Sequence, residues 1–145
     1  MTIANNLTRV LEQFTRGNIV GSKRILVVDN EPSIQEVAQI CLETVAGWQV
    51  SIAGSGLEGL ATAEREQPDA ILLDVMMPDM DGLDTFSKLQ SNPATRSIPV
   101  ILLTAKVQTT DRQNYTELGI RSTIAKPFSP LELAQQIATT LGWKL

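Results

Sequence analysis

The chain has 145 residues, a net charge of −4, a single cysteine and no histidine. A chain of this size can bury one α/β core without staples, and with Cys41 alone no internal disulfide is possible. Without histidine there is no His-based catalysis, no His metal ligand and no phosphohistidine on this chain, and the acidic balance argues against direct contact with nucleic acid or an anionic membrane surface.

No apolar run reaches the length of a membrane span. The N-terminus lacks the continuous apolar core of a signal peptide. The expectation is a soluble, cytoplasmic protein.

Residues 1–22 stand apart from the rest. Leu7, Val10, Leu11 and Phe14 recur at helical spacing, which predicts a short amphipathic helix stopping near Gly17. Arg9, Arg16 and Glu12 give this extension +1, so the remainder carries −5. Either it is a frayed extension or a helix packed on its own domain, or it mediates self-association or partner contact.

Residues 23–145 alternate strand and helix. Ile25 to Val28 is a buried strand ending at Asp29-Asn30-Glu31-Pro32, and Pro32 suits the first turn of a helix. That helix is expected to bury Ile34, Val37, Ala38, Cys41 and Val45, and to close at Gly47. A second strand spans Trp48 to Ala53. Ser55-Gly56-Leu57-Glu58 is a capping-box pattern opening the second helix. The third strand, Ala70 to Leu73, runs into Asp74 and the Pro78/Gly82 loop, and a third helix follows over Leu83 to Gln90. Val100 to Leu103 is the fourth strand, ending at Thr104-Ala105-Lys106. A fourth helix covers Asp111 to Leu118, and the fifth strand runs from Arg121 to Ala125, ending at Lys126-Pro127. Ser129-Pro130-Leu131-Glu132 repeats the capping box, opening a last helix that is expected to bury Leu131, Ala134, Ile137, Ala138 and Leu141.

Five strands alternating with five helices predict a doubly wound parallel sheet with right-handed crossovers. The apolar runs suit strands buried on both faces. Four strands finish in polar residues: Asp29 with Asn30, Asp74, Thr104 and Lys126. In a parallel sheet these ends share one edge, where ligands bind. The set has the parts phosphoryl transfer requires. Asp74 is a candidate nucleophile. Asp29 and Asn30 offer oxygens suited to Mg²⁺, and Thr104 and Lys126 offer donors for phosphoryl oxygens.

With those motifs, residues 23–145 resemble the receiver domain of two-component response regulators. The resemblance rests on the Ile25–Pro32 stretch, the Leu73–Gly82 stretch, Leu103-Thr104-Ala105 and Lys126-Pro127-Phe128. It implies a flavodoxin-like sheet of order 2-1-3-4-5. It also implies transfer of a phosphoryl group from a histidine kinase or histidine phosphotransfer protein to Asp74, with Mg²⁺ held by Asp29, Asn30, Asp74 and the Met76 carbonyl. A cis bond before Pro127, and output through contact with a downstream protein, follow from it too.

Two positions depart from the family pattern. A second acid is usual where Asn30 stands, so weaker Mg²⁺ binding is expected. An aromatic residue is usual where Thr123 stands, so the switch coupling Thr104 to residue 123 is expected to be muted. A rival reading is a degenerate receiver that docks partners without phosphorylation. A phosphatase of the haloacid-dehalogenase type is set aside, because Met76 occupies the place of its second aspartate. No second domain follows Gly142, so a single-domain regulator is expected.

Overall fold

A computed structural model describes residues 22–105 and 109–145, the side chains of 109–113 excepted. The N-terminal helix expected over 1–22 lies outside the described residues but for Ser22, and so does Lys106.

Five parallel strands, β1 (Arg24–Val28), β2 (Gln49–Ala53), β3 (Ala70–Asp74), β4 (Val100–Thr104) and β5 (Ser122–Ala125), form one sheet in the order β2-β1-β3-β4-β5. Helices α1 (Pro32–Ala46), α2 (Gly56–Glu66), α3 (Gly82–Ser91), α4 (Thr109–Leu118) and α5 (Leu133–Leu141) make the crossovers. This is the flavodoxin-like architecture that the family resemblance implies.

The strand residues split by parity, as a pleated strand requires. Ile25, Val27, Leu72, Ile101 and Leu103 pack on one face with Ala38 and Leu42 of α1 and Leu133 and Ile137 of α5. Leu26, Val28, Ile71, Leu73 and Leu102 pack on the other with Ala63 of α2 and Phe86 and Leu89 of α3. β3 and β4 are buried at every position. Each fully buried Leu or Ile contributes about 1.5–3 kcal/mol relative to leaving it exposed. Asp74 therefore sits at the end of a rod that the core holds rigidly on both sides.

One helix buries a different face from the one expected, and α5 buries Ala134, Ile137 and Ala138 as expected but with Leu133 in place of Leu131 and with Leu141 half-buried. In α1 the buried residues are Ala38 and Leu42, with Ile34 packed beside them. Val37 and Val45 are 37% and 46% exposed, and Cys41 is only half-buried. Apolar residues surround this helix, and the Ile34–Ala38–Leu42 row wins the core. In α5 the helix starts at Leu133, not at the Ser-Pro-Leu-Glu pattern. Glu132 and Leu133 both donate backbone N–H groups to the Ser129 carbonyl, closing a turn. That turn swings Leu131 out to 80% exposure and places Leu133 in the core.

The pole opposite the strand exits is closed by aromatics. Trp48, just before β2, meets Trp143, just after α5, edge to face at 5.4 Å. Lys23, just before β1, lays its ammonium 5.1 Å from the Trp143 ring centre. A cation–π contact of this kind adds about 0.5–1 kcal/mol at an exposed site.

Candidate functional site

The C-terminal ends of β1, β3 and β5 bring Asp29, Asp74 and Lys126 together. Asp29 and Asp74 are buried, and Thr104, at the end of β4, is buried beside them along the same sheet edge. The Lys126 ammonium lies 2.8 Å from Asp29 Oδ2, 3.2 Å from Asp74 Oδ1 and 3.6 Å from Glu31 Oε1. Lys126 is anchored in turn by its backbone N–H, which donates to the Thr104 carbonyl. The Lys126–Pro127 bond is cis.

Local hydrogen bonds orient both carboxylates. Asp29 Oδ1 accepts the Glu31 N–H at 2.8 Å, and the Gln35 side chain donates to the Asp29 carbonyl at 2.6 Å. Asp74 Oδ1 accepts the Met76 N–H at 3.2 Å. The other oxygen of each carboxylate, Oδ2, is buried without a hydrogen bond. Asp29 Oδ2 is met instead by the Lys126 ammonium at 2.8 Å. Buried carboxylate oxygens left in this way are costly unless a cation meets them.

The electrostatics follow from this crowding. Burial raises the Asp74 pKa above its ordinary value, and the Asp29 charge raises it further. The Met76 N–H and the Lys126 ammonium offset only part of that rise. For Lys126, burial alone would lower the pKa, but the two carboxylates outweigh it and raise it.

Carboxylate oxygens of Asp29, Glu31 and Asp74 all lie within 4.8 Å of one another. Three oxygen donors at that spacing, one of them on Asp74, whose Oδ2 is buried without a hydrogen bond, suit a hard divalent cation that keeps several waters. The donor set fits Mg²⁺. Asn30, between Asp29 and Glu31, is exposed. The Met76 side chain is exposed as well, and its backbone lies against Asp74. Thr123 is half-buried, pairs in register with Leu102, and lines a groove of about 600 Å³ between β5 and α5.

Three supporting residues carried no sequence signal of their role. Asp79 accepts the Gly56 and Leu57 N–H groups at 3.2 and 3.3 Å, tying the loop after β3 to the start of α2. Its slight burial pushes its pKa up, but these N–H groups more than cancel that and hold it below the usual aspartate value. Gly82 donates its N–H to the Val75 carbonyl at 2.8 Å and packs against the Asp74 backbone. Gln35 sits one turn into α1, where a Gln reads as a solvated helix residue. Only the fold reveals these contacts, because each partner is distant in sequence or is a backbone group.

Similarity to known proteins agrees with this geometry. The family model for the response regulator receiver domain matches residues 25–138. The probable transcriptional regulatory protein TcrX of Mycobacterium tuberculosis is 42% identical over 118 residues, covering 81% of this chain and 49% of TcrX. The chain thus spans about half the length of the curated relatives it matches. Among solved structures, chemotaxis protein CheY4 of Vibrio cholerae superposes with a TM-score of 0.76 at 28% identity, over 82% of this chain and 98% of that one. The receiver domain of a sensor histidine kinase from Pseudomonas aeruginosa, with magnesium coordinated in its active-site cleft, gives 0.73 at 31% identity, over 83% and 98%. Among the described residues no helix is long and apolar enough to cross a membrane. With its parallel sheet, its clustered strand-exit carboxylates and a family match over most of its length, the chain belongs to the response regulator receiver domain family.

Proposed function

We propose that Asp74 accepts a phosphoryl group from the phosphohistidine of a histidine kinase or histidine phosphotransfer protein, and that the phosphorylated chain signals by protein contact. The observation that carries this reading is the buried Asp74 carboxylate, held at the end of the central strand against the Lys126 ammonium and beside Asp29. The 145 residues include no histidine, so the phosphohistidine lies outside them. An Asp74 oxygen bonds to phosphorus as the phosphorus–nitrogen bond breaks. The bonding pair stays on the donor imidazole, which takes up a proton.

Lys126 and Thr104 hold the incoming phosphoryl oxygens. Asp29, Asn30, Asp74 and the Met76 carbonyl are the proposed Mg²⁺ ligands, and Glu31 lies close enough to join them. Bound there, Mg²⁺ neutralises the charge that the phosphoryl group brings. Incubation with Mg²⁺ and a small phosphodonor, followed by intact-mass measurement, tests the reading. A mass gain that a chelator abolishes is expected. No gain under any condition would leave a phosphorylation-independent binding module, the reading that Asn30 and Thr123 favour.

The metal ligands make a prediction of their own. Asn30→Asp adds an anion beside the cation and should tighten Mg²⁺ binding, and Glu31→Gln removes one and should weaken it. Each change is expected to be a few-fold to about tenfold, since solvent screens both exposed positions. Calorimetric Mg²⁺ titration measures it. Unchanged affinity in Asn30→Asp excludes residue 30 from the coordination sphere.

The output face carries another. The responsive surface is α4, β5 and α5, about residues 107–141, of which 107 and 108 lie outside the described residues. Thr123 offers little apolar area to bury when Thr104 moves, so the two states differ little in free energy. Amide hydrogen exchange should change weakly here upon phosphorylation. Thr123→Tyr, whose ring can enter the open groove beside β5, should enlarge the change. Strong protection changes in the unmodified chain would mean that another side chain acts as the switch.

A further inference from the structure

Three of the proposed cation donors stand in one run, Asp29-Asn30-Glu31, between the end of β1 and the start of α1. Asp29 is buried, but Asn30 and Glu31 are exposed, so the core does not hold them. Glu31 is the N-cap of α1, yet its side chain makes no capping bond, and its carboxylate faces the Lys126 ammonium at 3.6 Å. A limb built this way needs another restraint if its oxygens are to keep one arrangement.

Gln35 supplies that restraint. Its main-chain N–H donates to the Glu31 carbonyl at 3.1 Å, in the first turn of α1. Its side-chain amide reaches back and donates to the Asp29 carbonyl at 2.6 Å. One residue thus holds the run at both ends, with Asn30 between the two pinned carbonyls. Inside the run, the Glu31 N–H donates to Asp29 Oδ1 at 2.8 Å, and the Asp29 N–H donates to the Ala53 carbonyl at 3.0 Å. Gln35 is half-buried, and its amide nitrogen lies 3.6 Å from the place a Cβ on Gly54 would take, so the exit of β2 backs the amide.

Rigidity of this kind bears on which cation binds. Mg²⁺ demands near-octahedral oxygens at about 2.1 Å, whereas Ca²⁺ accepts about six to eight oxygens at about 2.3–2.6 Å in loose geometry. A pinned limb favours the first ion. A loosened limb can rearrange around the second at little cost.

We propose, on the basis of the Mg²⁺ site assigned to Asp74 and its neighbours, that Gln35 is a positioning residue that sets the preference of this site for Mg²⁺ over Ca²⁺. It acts through the backbone of the donors and does not itself touch the ion.

Calorimetric titration with each cation, without phosphodonor, tests this role. Gln35→Met keeps the length and the helix propensity but removes the donor. It should raise the Mg²⁺ Kd about tenfold, the lower end for loss of a partner that orients a metal ligand. The Ca²⁺ Kd should change by less than about twofold, because that ion tolerates a loosened limb. Gln35→Asn, whose amide falls one methylene short, should lose the preference too. Gln39→Met is the control. The Gln39 amide donates to Glu43 Oε1 at 2.9 Å, one turn farther along α1, and its loss should leave both affinities unchanged. A merely structural lesion would weaken both cations alike. Parallel weakening, a retained preference in either Gln35 variant, or an equal loss in Gln39→Met overturns the proposal. A chain that binds Mg²⁺ but takes up no phosphoryl group sinks the Asp74 reading and leaves the Gln35 comparison standing. A chain that binds neither cation overturns both.

Discussion

Asp74→Asn is expected to abolish the phosphodonor-dependent mass gain while the fold survives. The swap keeps size and shape, so the core that clamps β3 on both faces is untouched. What changes is chemical. The amide has no anionic oxygen to attack phosphorus. It also removes the charge that faces Lys126 at 3.2 Å and one of the three carboxylates within reach of a cation. Because burial and Asp29 raise the Asp74 pKa, the wild-type site has a pH signature as well. Asp74 protonates at a higher pH than an ordinary aspartate, so labelling should fade earlier on acidification than carboxylate chemistry alone implies. Added Mg²⁺, by favouring the anion, should move that loss to lower pH. Intact mass across a pH series, with and without Mg²⁺, measures both effects. Labelling that persists in Asp74→Asn moves the phosphosite elsewhere.

Gly82→Ala has the next largest effect, and it acts through backbone. A Cβ at residue 82 would press on the carbonyl oxygen of Asp74 and sit 2.7 Å from Val75 Cα and 3.0 Å from the Asp74 carbonyl carbon. None of these atoms can rotate away, unlike the end of a flexible side chain. The loop from Val75 to Asp81 must shift, or the end of β3 must. Overpacking of this kind costs about 1–3 kcal/mol or more, a fall of several degrees in melting temperature for a domain this size. Labelling should slow as well, because the displaced atoms belong to Asp74 itself. A variant with wild-type melting temperature and labelling rate would show that the loop is softer than its packing indicates.

The strands were legible because nothing competes with them. Ile25–Val28, Ile71–Leu73 and Val100–Leu103 are short apolar runs bounded by polar residues, and a parallel sheet is where such runs go. Their polar exits followed, and so did Asp29, Asp74, Thr104 and Lys126 as one edge of the sheet. The strand order came only from the family resemblance, since apolar runs do not encode their neighbours. Helix faces were less legible. In α1 several apolar residues lie off the buried face, and Leu42, left out of the expected set, is buried whereas Val37 and Val45 are exposed. In α5 Ser129 closes a turn through its carbonyl where a side-chain cap was expected, and Leu133 takes the core place expected of Leu131 while Ala134, Ile137 and Ala138 are buried as expected. The roles of Asp79 and Gly82 depend on backbone groups brought close by folding, a kind of contact that residue type alone does not announce.

The aromatic clasp at the far pole has an optical consequence. Both tryptophans of the chain, Trp48 and Trp143, sit where the strands begin, and the site lies where they end. Indole emission is therefore blind to the chemistry at Asp74 and sensitive to the separation of the two rings and of the Lys23 ammonium that can quench them. Emission should stay constant while phosphodonor is added and should change when the C-terminal residues peel away from β2. The molecule thus carries a built-in light signal for intactness. A variant that is dark to labelling but keeps its native spectrum has lost its chemistry alone.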